Sequence, residues 1–172
     1  MPDTVKDLLE RRCIRKYKPQ QISRQELDTV LKVGMCAPSA KNLQSAIMVA
    51  VQNEADVKKL SEMNAAILGT SSDPFYGAPT VVIVLYESGS YMGIQDASLV
   101  MGNLMNAAHA IGLGSCWINR VRQMFETDEG KALLKKWGVE GDYTGLACCI
   151  LGYPDEKPEM KPRKENYVYY AD

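Results

Sequence analysis

Apolar positions along the chain alternate between helical spacing and short unbroken runs. Apolar residues at every third or fourth position are typical of amphipathic helices, whereas about four to eight consecutive apolar residues are typical of buried strands. The segments with helical spacing are 4–12, 23–34, 56–68, 94–111 and 128–137. The segments that predict strands are 46–51, 80–85, 115–118 and 144–151. Because helices and strands alternate, the pattern favours an α/β or α+β sandwich over a helical bundle.

Three segments carry local signals that sharpen this prediction. Ser23 and Glu26 form the capping box that opens the second helix. The segment 80–85 is mostly β-branched, which indicates a strand buried on both faces. The segment 94–111 is apolar nearly all round, so we expect it at the centre of the fold or in a subunit interface.

The helix predicted over 94–111 also carries two polar residues of interest. His109 is flanked by alanines, and we expect it to pack or to form a hydrogen bond there rather than to act in catalysis. Asp96 lies near the helix start, where a carboxylate commonly accepts hydrogen bonds from backbone amides. Gly112-Leu113-Gly114 follows this helix instead of a first strand, so the Rossmann fingerprint is not met, and the Walker A pattern is absent.

The composition is that of a folded globular protein. The 172 residues predict a single domain over 1–172, and 46% of them are hydrophobic. The formal net charge is -1, with 20 Lys and Arg against 21 Asp and Glu, which argues against non-specific binding to nucleic acid or to anionic membranes. The polar N-terminus and the lack of any long apolar run predict a cytoplasmic protein.

The five cysteines do not form a metal or dithiol motif. None has Cys-x-x-Cys spacing, and with His109 as the single histidine we expect no zinc site. Cys148 and Cys149 are neighbours in a predicted strand, so their side chains are expected on opposite faces of it. The sequence indicates neither a Ser-His-Asp set nor a pair of catalytic carboxylates. Any reaction is therefore expected to depend on a cofactor.

Three local features could bind a ligand, and each also has an ordinary structural explanation. Arg11, Arg12 and Arg15 follow the first helix, where Arg11 and Arg15 would share a helical face. Arginine forks match phosphate oxygens, although a solvated basic cluster is also favoured at a helix end. The segment 161–164 is either a charged tail or a second contact to the same phosphate. The loop 37–44 offers a hydroxyl and amides for the edge of a heterocycle, and the same residue types are common in turns.

Taken in order along nearly the whole chain, these motifs resemble the nitroreductase family of FMN-dependent oxidoreductases. The motifs are Arg11-Arg12-Cys13-Ile14-Arg15-Lys16-Tyr17, Ala37-Pro38-Ser39-Ala40-Lys41-Asn42-Leu43-Gln44, Gly77-Ala78-Pro79, the helix from Asp96 to Gly112-Leu113-Gly114-Ser115-Cys116-Trp117, Leu151-Gly152-Tyr153-Pro154 and Lys161-Pro162-Arg163. Each motif is weak alone, and it is their order and spacing that make the resemblance specific.

The resemblance implies a fold and a cofactor. The fold is an α+β three-layer sandwich, in which a central, mostly antiparallel sheet is flanked by helices. Two chains are expected to intertwine as a homodimer through the long central helix, with two FMN molecules at the interface. In this family the flavin N5, rather than a protein side chain, carries the hydride, and NADH or NADPH donates it. No catalytic side chain and no metal are therefore expected.

The resemblance also assigns contacts to FMN. The residues that would hold the phosphate and the ribityl chain are Arg11, Arg12, Cys13, Arg15, Lys161 and Arg163. The residues that would reach the flavin from the other subunit are Ser39, Asn42 and Gln44. The residues that would line the isoalloxazine are Trp117, Ile118 and Asn119. Two positions depart from the family pattern: Cys13 replaces the usual serine and Ser45 the usual proline, so we expect a weaker contact at Cys13 and a less rigid loop.

The function implied by the resemblance is hydride transfer from NAD(P)H to a small, electron-poor acceptor by a ping-pong mechanism. Nitroaromatics, quinones and activated alkenes are such acceptors. The alternatives are a specialised flavin enzyme of the same fold and a non-enzymatic flavin-binding or redox-sensing protein in which Cys116, Cys148 and Cys149 respond to oxidants. Because the chain has little room for inserted helices, we expect an open acceptor site.

Overall fold

A computed structural model describes residues 3–171. The helices are α1 (Asp3–Glu10), α2 (Arg24–Met35), α3 (Glu54–Leu68), α4 (Gly93–Ala110), α5 (Val121–Glu126) and α6 (Asp128–Lys136), and a short 3-10 turn covers Ala40–Asn42. The strands are β1 (Ala46–Val51), β2 (Thr80–Glu87), β3 (Gly114–Ile118) and β4 (Tyr143–Gly152). The predicted capping box at Ser23 and Glu26 is present at the start of α2.

The four strands form one antiparallel sheet in the order β1-β2-β4-β3. The two central strands, β2 and β4, are buried over most of their length, as their β-branched and small apolar residues require. The pairing of β2 with β4 shifts by one residue between Val84 and Leu85. This arrangement confirms the predicted α+β sandwich with an antiparallel sheet.

Helices cover both faces of the sheet, and each face has its own hydrophobic core. On one face α2 and α4 contribute residues such as Leu27, Met101 and Leu104. On the other face α3 and α5 contribute residues such as Leu60 and Met124. Strand residues alternate between the two cores because successive side chains point to opposite sides.

The neighbours Cys148 and Cys149 follow this alternation and lie in different cores, as predicted. Both are fully buried, and burial raises the pKa of the Cys148 thiol well above its usual range and that of Cys149 to about 12. Buried thiols with raised pKa values are inert toward oxidants and metals. These two cysteines therefore pack the core and do not support the redox-sensing alternative.

Helix α4 is the long helix predicted from its apolar composition. Its inner face is buried, and Gly34 of α2 lies so close that a Cβ there would meet Leu104 at 2.8 Å. Its outer face leaves Ile94 56% and Leu99 47% exposed. The helix is therefore central to one core and also presents an apolar face to the outside. His109 is half-buried near its end.

Two features of the chain differ from the sequence predictions. The first helix ends at Glu10 rather than Arg12, so the arginines after it lie outside the helix. Helix α5 was not predicted; its Met124 and Phe125 fill the second core although the helix has only 6 residues. Within residues 3–171, none of the helices has the length and hydropathy needed to cross a lipid bilayer.

Candidate functional site

The basic segment after α1 is extended and lies beside β3. The Ile14 amide donates a hydrogen bond to the Ser115 carbonyl at 2.9 Å, and Cys13 forms a parallel bridge with Ser115. Gly114 permits this contact, because a Cβ at that position would lie 2.9 Å from Ile14. The prediction that Arg11 and Arg15 share a helical face is therefore wrong, since tertiary pairing with β3 overrides the local helical pattern.

The extended backbone nevertheless groups Arg11, Cys13 and Arg15 on one side, because alternate residues of an extended chain share a face. The Arg11 guanidinium donates to the Cys13 sulfur at 3.8 Å. Arg12 points elsewhere: its Nη1 donates to the carbonyls of Leu9 and Arg11, at 2.8 and 2.7 Å. The Arg12 Nε is buried and has no partner within residues 3–171.

The Cys13 thiol behaves differently from the serine that it replaces. The neighbouring Cys116 thiol lowers the pKa of Cys13 below its usual range, and the Arg11 and Arg15 charges act in the same direction. Burial opposes them but does not outweigh them. The lowered pKa favours the thiolate form, which accepts hydrogen bonds and does not donate them, whereas a serine hydroxyl can donate.

The start of the C-terminal tail runs antiparallel to this basic segment. The Lys18 amide donates a hydrogen bond to the Tyr153 carbonyl, and the Asp155 amide donates one to the Lys16 carbonyl, both at 2.9 Å. The Lys16 side chain also forms an ion pair with Asp155 at 3.1 Å. The Glu156 carboxylate accepts a hydrogen bond from the Arg15 amide. The tail therefore leaves the fold directly beside Arg15.

Lys161 and Arg163 lie farther along this tail and are exposed. The structure therefore brings the base of the tail to the basic segment, and both cationic side chains lie farther along the tail. Lys161 follows Glu156 by five positions, and an extended chain of five residues spans at most about 18 Å.

The loop before β1 has an unusual backbone. Lys41, Asn42 and Gln44 have φ values of 51°, 56° and 52°, in the left-handed region that favours glycine. The Ser39 hydroxyl accepts a hydrogen bond from the Gln44 amide at 3.0 Å, and the Gln44 side chain donates to Asn42 Oδ1 at 2.9 Å. Non-glycine residues in this region cost free energy and are often found at ligand sites. The structure therefore brings Ser39, Asn42 and Gln44 together through two hydrogen bonds.

Asp96 holds this loop in place. Its Oδ1 accepts a hydrogen bond from the Ala40 amide at 3.0 Å, so the prediction that it serves amides at the start of its own helix is wrong. Asp96 is 4% exposed, and its Oδ2 has no partner among the described residues 3–171. A cavity of about 230 Å³ adjoins it, lined also by Ser39, Gln44 and Met48. The loop is thus anchored to α4 through one carboxylate oxygen only.

Ser45, the second departure from the family pattern, is buried and hydrogen-bonded. It is 1% exposed, its carbonyl accepts from the Glu87 amide at 2.9 Å, and its hydroxyl accepts from Ser90 at 3.3 Å. These two hydrogen bonds offset the expected loss of rigidity at this position. A proline would keep the carbonyl contact but would lack the hydroxyl contact.

The turn after β3 carries the last group of predicted residues. The Trp117 indole donates to Asn119 Oδ1 at 2.5 Å, which joins these two side chains. Trp117 is half-buried and Asn119 is exposed. Ile118 is 6% exposed and belongs to the core on the other side of the sheet. The Ile118 side chain is therefore not available to line a ligand, because strand alternation turns it inward.

One residue that touches this turn was missed. Asn64 of α3 is fully buried and hydrogen-bonds both Asn119 and Arg120. Its position gave a signal, since it interrupts the apolar face of α3 four residues after Leu60 and next to Met63. A buried amide on such a face needs polar partners, which point to the element it contacts.

A sequence profile of the nitroreductase family matches residues 8–156, which is well over half of the chain. The chain belongs to the nitroreductase family. A relative from Archaeoglobus fulgidus, provisionally named an NADH dehydrogenase/NAD(P)H nitroreductase, is 33% identical to it over 162 residues, covering 91% of this chain and 89% of its own. The family that the sequence motifs predicted is thus confirmed.

Solved structures from the same family have the same fold. A nitroreductase with bound FMN from Bacteroides fragilis superposes with a TM-score of 0.91 over 100% of both chains, at 24% identity. An FMN-dependent nitroreductase from Clostridium difficile is 28% identical, with a TM-score of 0.78 over 98% of this chain and 99% of its own. The predicted three-layer arrangement is therefore that of the nitroreductase family.

Proposed function

We propose that this chain binds FMN and catalyses the NAD(P)H-dependent reduction of small, electron-poor acceptors. The observation that carries the proposal is the extended segment 11–15, which β3 holds with Arg11 and Arg15 on the same side. Guanidinium forks at this spacing suit a phosphate group. The FMN bound in the Bacteroides fragilis nitroreductase and the nicotinamide donors named for the Archaeoglobus fulgidus relative support the cofactor and the enzyme class.

The residues present fit a flavin phosphate. Positive charge is concentrated in segment 11–15 although the chain as a whole carries a net charge of -1. The partnerless Arg12 Nε is a further donor that the described chain leaves unused. Lys161 and Arg163 start from an anchor beside Arg15, so the tail needs only to fold back for its cations to reach the same phosphate. Glu156 opposes such binding with its negative charge and is displaced from the Arg15 amide in this proposal.

When bound, FMN supplies the hydride chemistry through its N5, and the chain supplies binding and orientation. Arg11 and Arg15 would hold the phosphate. The Asn42 and Gln44 amides would offer donors and acceptors to the edge of the ring. The turn at Asn119 lies beside Trp117 and its backbone would border the ring, whereas the Ile118 side chain lies in the core.

The site is completed by a second copy of the chain in this proposal. Asp96 Oδ2 is buried without a partner in residues 3–171, and Asp96 is one of the residues that line the cavity beside the loop. The outer face of α4 exposes Ile94 and Leu99, and a partner helix would bury them. A homodimer with Ser39, Asn42 and Gln44 of each chain directed at the flavin of the other accounts for both features.

Acceptors are expected to be nitroaromatics, quinones or activated alkenes. Each acceptor would bind after the nicotinamide donor has left the same site. Anaerobic stopped-flow mixing of the FMN-loaded protein with NADH or NADPH tests the proposal. Bleaching of the flavin absorbance, followed by recovery on mixing with a quinone, is the expected result, with parallel double-reciprocal plots in steady state. A flavin that stays oxidised with both donors would overturn the enzymatic function.

The phosphate contacts have a separate test. Arg15→Ala and Arg163→Ala are each expected to weaken FMN binding by about tenfold or more, because each removes a charge-assisted hydrogen bond. Lys131→Ala on α6 is the matched control, since this lysine is exposed and far from segment 11–15 in sequence. Equal FMN dissociation constants in all three variants would contradict the proposed phosphate site.

A further inference from the structure

Asn64 occupies an unusual position on α3. It is fully buried on the face of the helix that also carries the buried Leu60 and Met63, yet it has a polar amide. Its Nδ2 donates to the Asn119 carbonyl at 2.8 Å and contacts the Met124 sulfur at 3.3 Å. Its Oδ1 accepts from the Arg120 Nε at 2.9 Å. Both ends of the amide are therefore used, and its hydrogen bonds lead to the turn after β3 and to the first turns of α5.

The turn that Asn64 contacts has a conformation that needs support. Arg120 has a φ of 77°, in the left-handed region, and no side-chain cap opens α5 after it. A non-glycine residue in this region costs free energy that surrounding contacts must offset. Asn64 provides two such contacts, one to the carbonyl of the peptide that joins Asn119 to Arg120 and one to the Arg120 side chain.

Other contacts connect the turn to a side chain nearer the surface and to the strand behind it. The Asn119 side chain accepts from the Trp117 indole, so Asn64, Asn119 and Trp117 form one connected network. Behind the turn, β4 lies against α5 at Gly145, where a Cβ would meet the Val121 backbone at 2.6 Å. The turn is therefore fixed from α3 and from β4, and only its outer side faces solvent.

We propose that Asn64 is the positioning residue that sets the turn 118–120 against the flavin ring, an inference that rests on the proposed function. Packing alone does not require an amide here. A leucine would fill a similar volume beside Leu60 and Met63 without the cost of burying polar atoms. The amide instead holds a strained backbone at the point where the proposed ring contact lies.

A comparison of FMN with riboflavin separates this role from phosphate binding. Asn64→Leu is expected to raise the dissociation constants of both flavins by the same factor, about tenfold, because it removes two buried hydrogen bonds from the ring contact. Arg15→Ala is expected to weaken FMN but not riboflavin. Quenching of flavin fluorescence measures all four dissociation constants.

Two further variants define the role of each hydrogen bond. Asn64→Asp keeps an acceptor for Arg120 but loses the donor to Asn119, so we expect an intermediate loss for both flavins. Asn53→Ala is the matched control, because Asn53 caps the same helix through the Asp56 amide and does not touch the turn. It is expected to lower stability through loss of the cap and to leave both dissociation constants unchanged.

The rate of flavin reduction at saturating FMN gives a readout that a purely structural role would not change. Asn64→Leu is expected to slow bleaching by NAD(P)H even when every site is loaded, since a displaced ring is poorly oriented for hydride transfer. If Asn64→Leu does not fold, Arg120→Met, which removes the guanidinium and with it the Nε donor to Asn64, is expected to weaken FMN and riboflavin equally, by a smaller factor.

Folded Asn64→Leu or Arg120→Met protein with wild-type dissociation constants for both flavins and a wild-type bleaching rate would overturn the inference. A loss of FMN affinity without any loss for riboflavin would also overturn it, because the turn would then not contact the ring. Failure of the wild-type protein to bind either flavin is a different result, and it would instead contradict the proposed function.

Discussion

The loop before β1 and the turn after β3 both have a strained backbone, and different contacts stabilise each of them. Both contain non-glycine residues with positive φ, and both are held by a buried polar side chain from a helix: Asp96 for the loop and Asn64 for the turn. Asn64 uses both ends of its amide within the chain. Asp96 uses one oxygen and leaves the other buried without a partner in residues 3–171.

This difference indicates which half of the site a single chain completes. The turn is enclosed by α3, α5 and β4, so its conformation is fixed by the chain itself. The loop exposes Asn42 and Gln44 and adjoins a cavity of about 230 Å³. Variants that remove a contact to the turn are therefore expected to leave dimer formation unchanged, whereas release of the loop from Asp96 is expected to weaken flavin binding and dimer formation together.

The largest effect is expected from crowding the turn. Gly145→Ala places a Cβ about 2.6 Å from the Val121 backbone, so the start of α5 must shift. We expect a loss of about 1 to 3 kcal/mol in the free energy of unfolding, measured by urea denaturation. Gly102→Ala is the control, since a Cβ there meets nothing within 4 Å and a helical alanine is more stable by roughly 0.5 to 1 kcal/mol. Equal stability in the two variants would mean that β4 does not enclose the turn.

Release of the loop is expected to have the next largest effect. Asp96→Ala removes the acceptor of the Ala40 amide, and we expect FMN to bind about tenfold more weakly because a backbone donor loses its partner. The same variant is expected to dissociate at higher protein concentration in sedimentation experiments. Asp96→Asn keeps an acceptor for Ala40 and is expected to affect only the dimer. If Asp96→Ala binds FMN as the wild type does, the loop is not part of the site.

A smaller effect is expected from Ser39. Its hydroxyl accepts from the Gln44 amide, so Ser39→Ala is expected to weaken FMN binding by about fivefold through loss of one partly exposed hydrogen bond. Thr29→Ala is the control, because the Thr29 hydroxyl bonds only within α2. Fluorescence titration with FMN gives both values. A weaker effect for Ser39→Ala than for Thr29→Ala would contradict the role of the loop.

The sequence predicted most of the fold because the local signals agree with the tertiary structure. Capping at Ser23, the β-branched strand at 80–85 and the apolar helix over 94–111 each follow from short-range patterns. Helix α5 escaped prediction because it is short, follows β3 almost at once and begins at a left-handed residue without a capping side chain. Its stability comes from packing against the second core rather than from its own sequence.

The candidate site was less predictable because its contacts join distant parts of the chain. Arg11 and Arg15 lie on one side of an extended segment only because Ile14 pairs with Ser115. Asp96 accepts a hydrogen bond from an amide 56 residues away in sequence, and Asn64 donates one to a carbonyl 55 residues away. Resemblance to the family assigned the elements of the site, but only the three-dimensional structure separates the exposed Asn119 from the buried Ile118 next to it.

Sedimentation of the purified protein, followed at a wavelength that only flavin absorbs, tests most directly whether two chains build each site. The account predicts that FMN sediments with a species of twice the 19.1 kDa chain mass, at one flavin per chain. It predicts further that dilution into the monomer releases the flavin. Full FMN occupancy on a species of 19.1 kDa would contradict it, because the loop around Ser39 would then bind flavin without a partner.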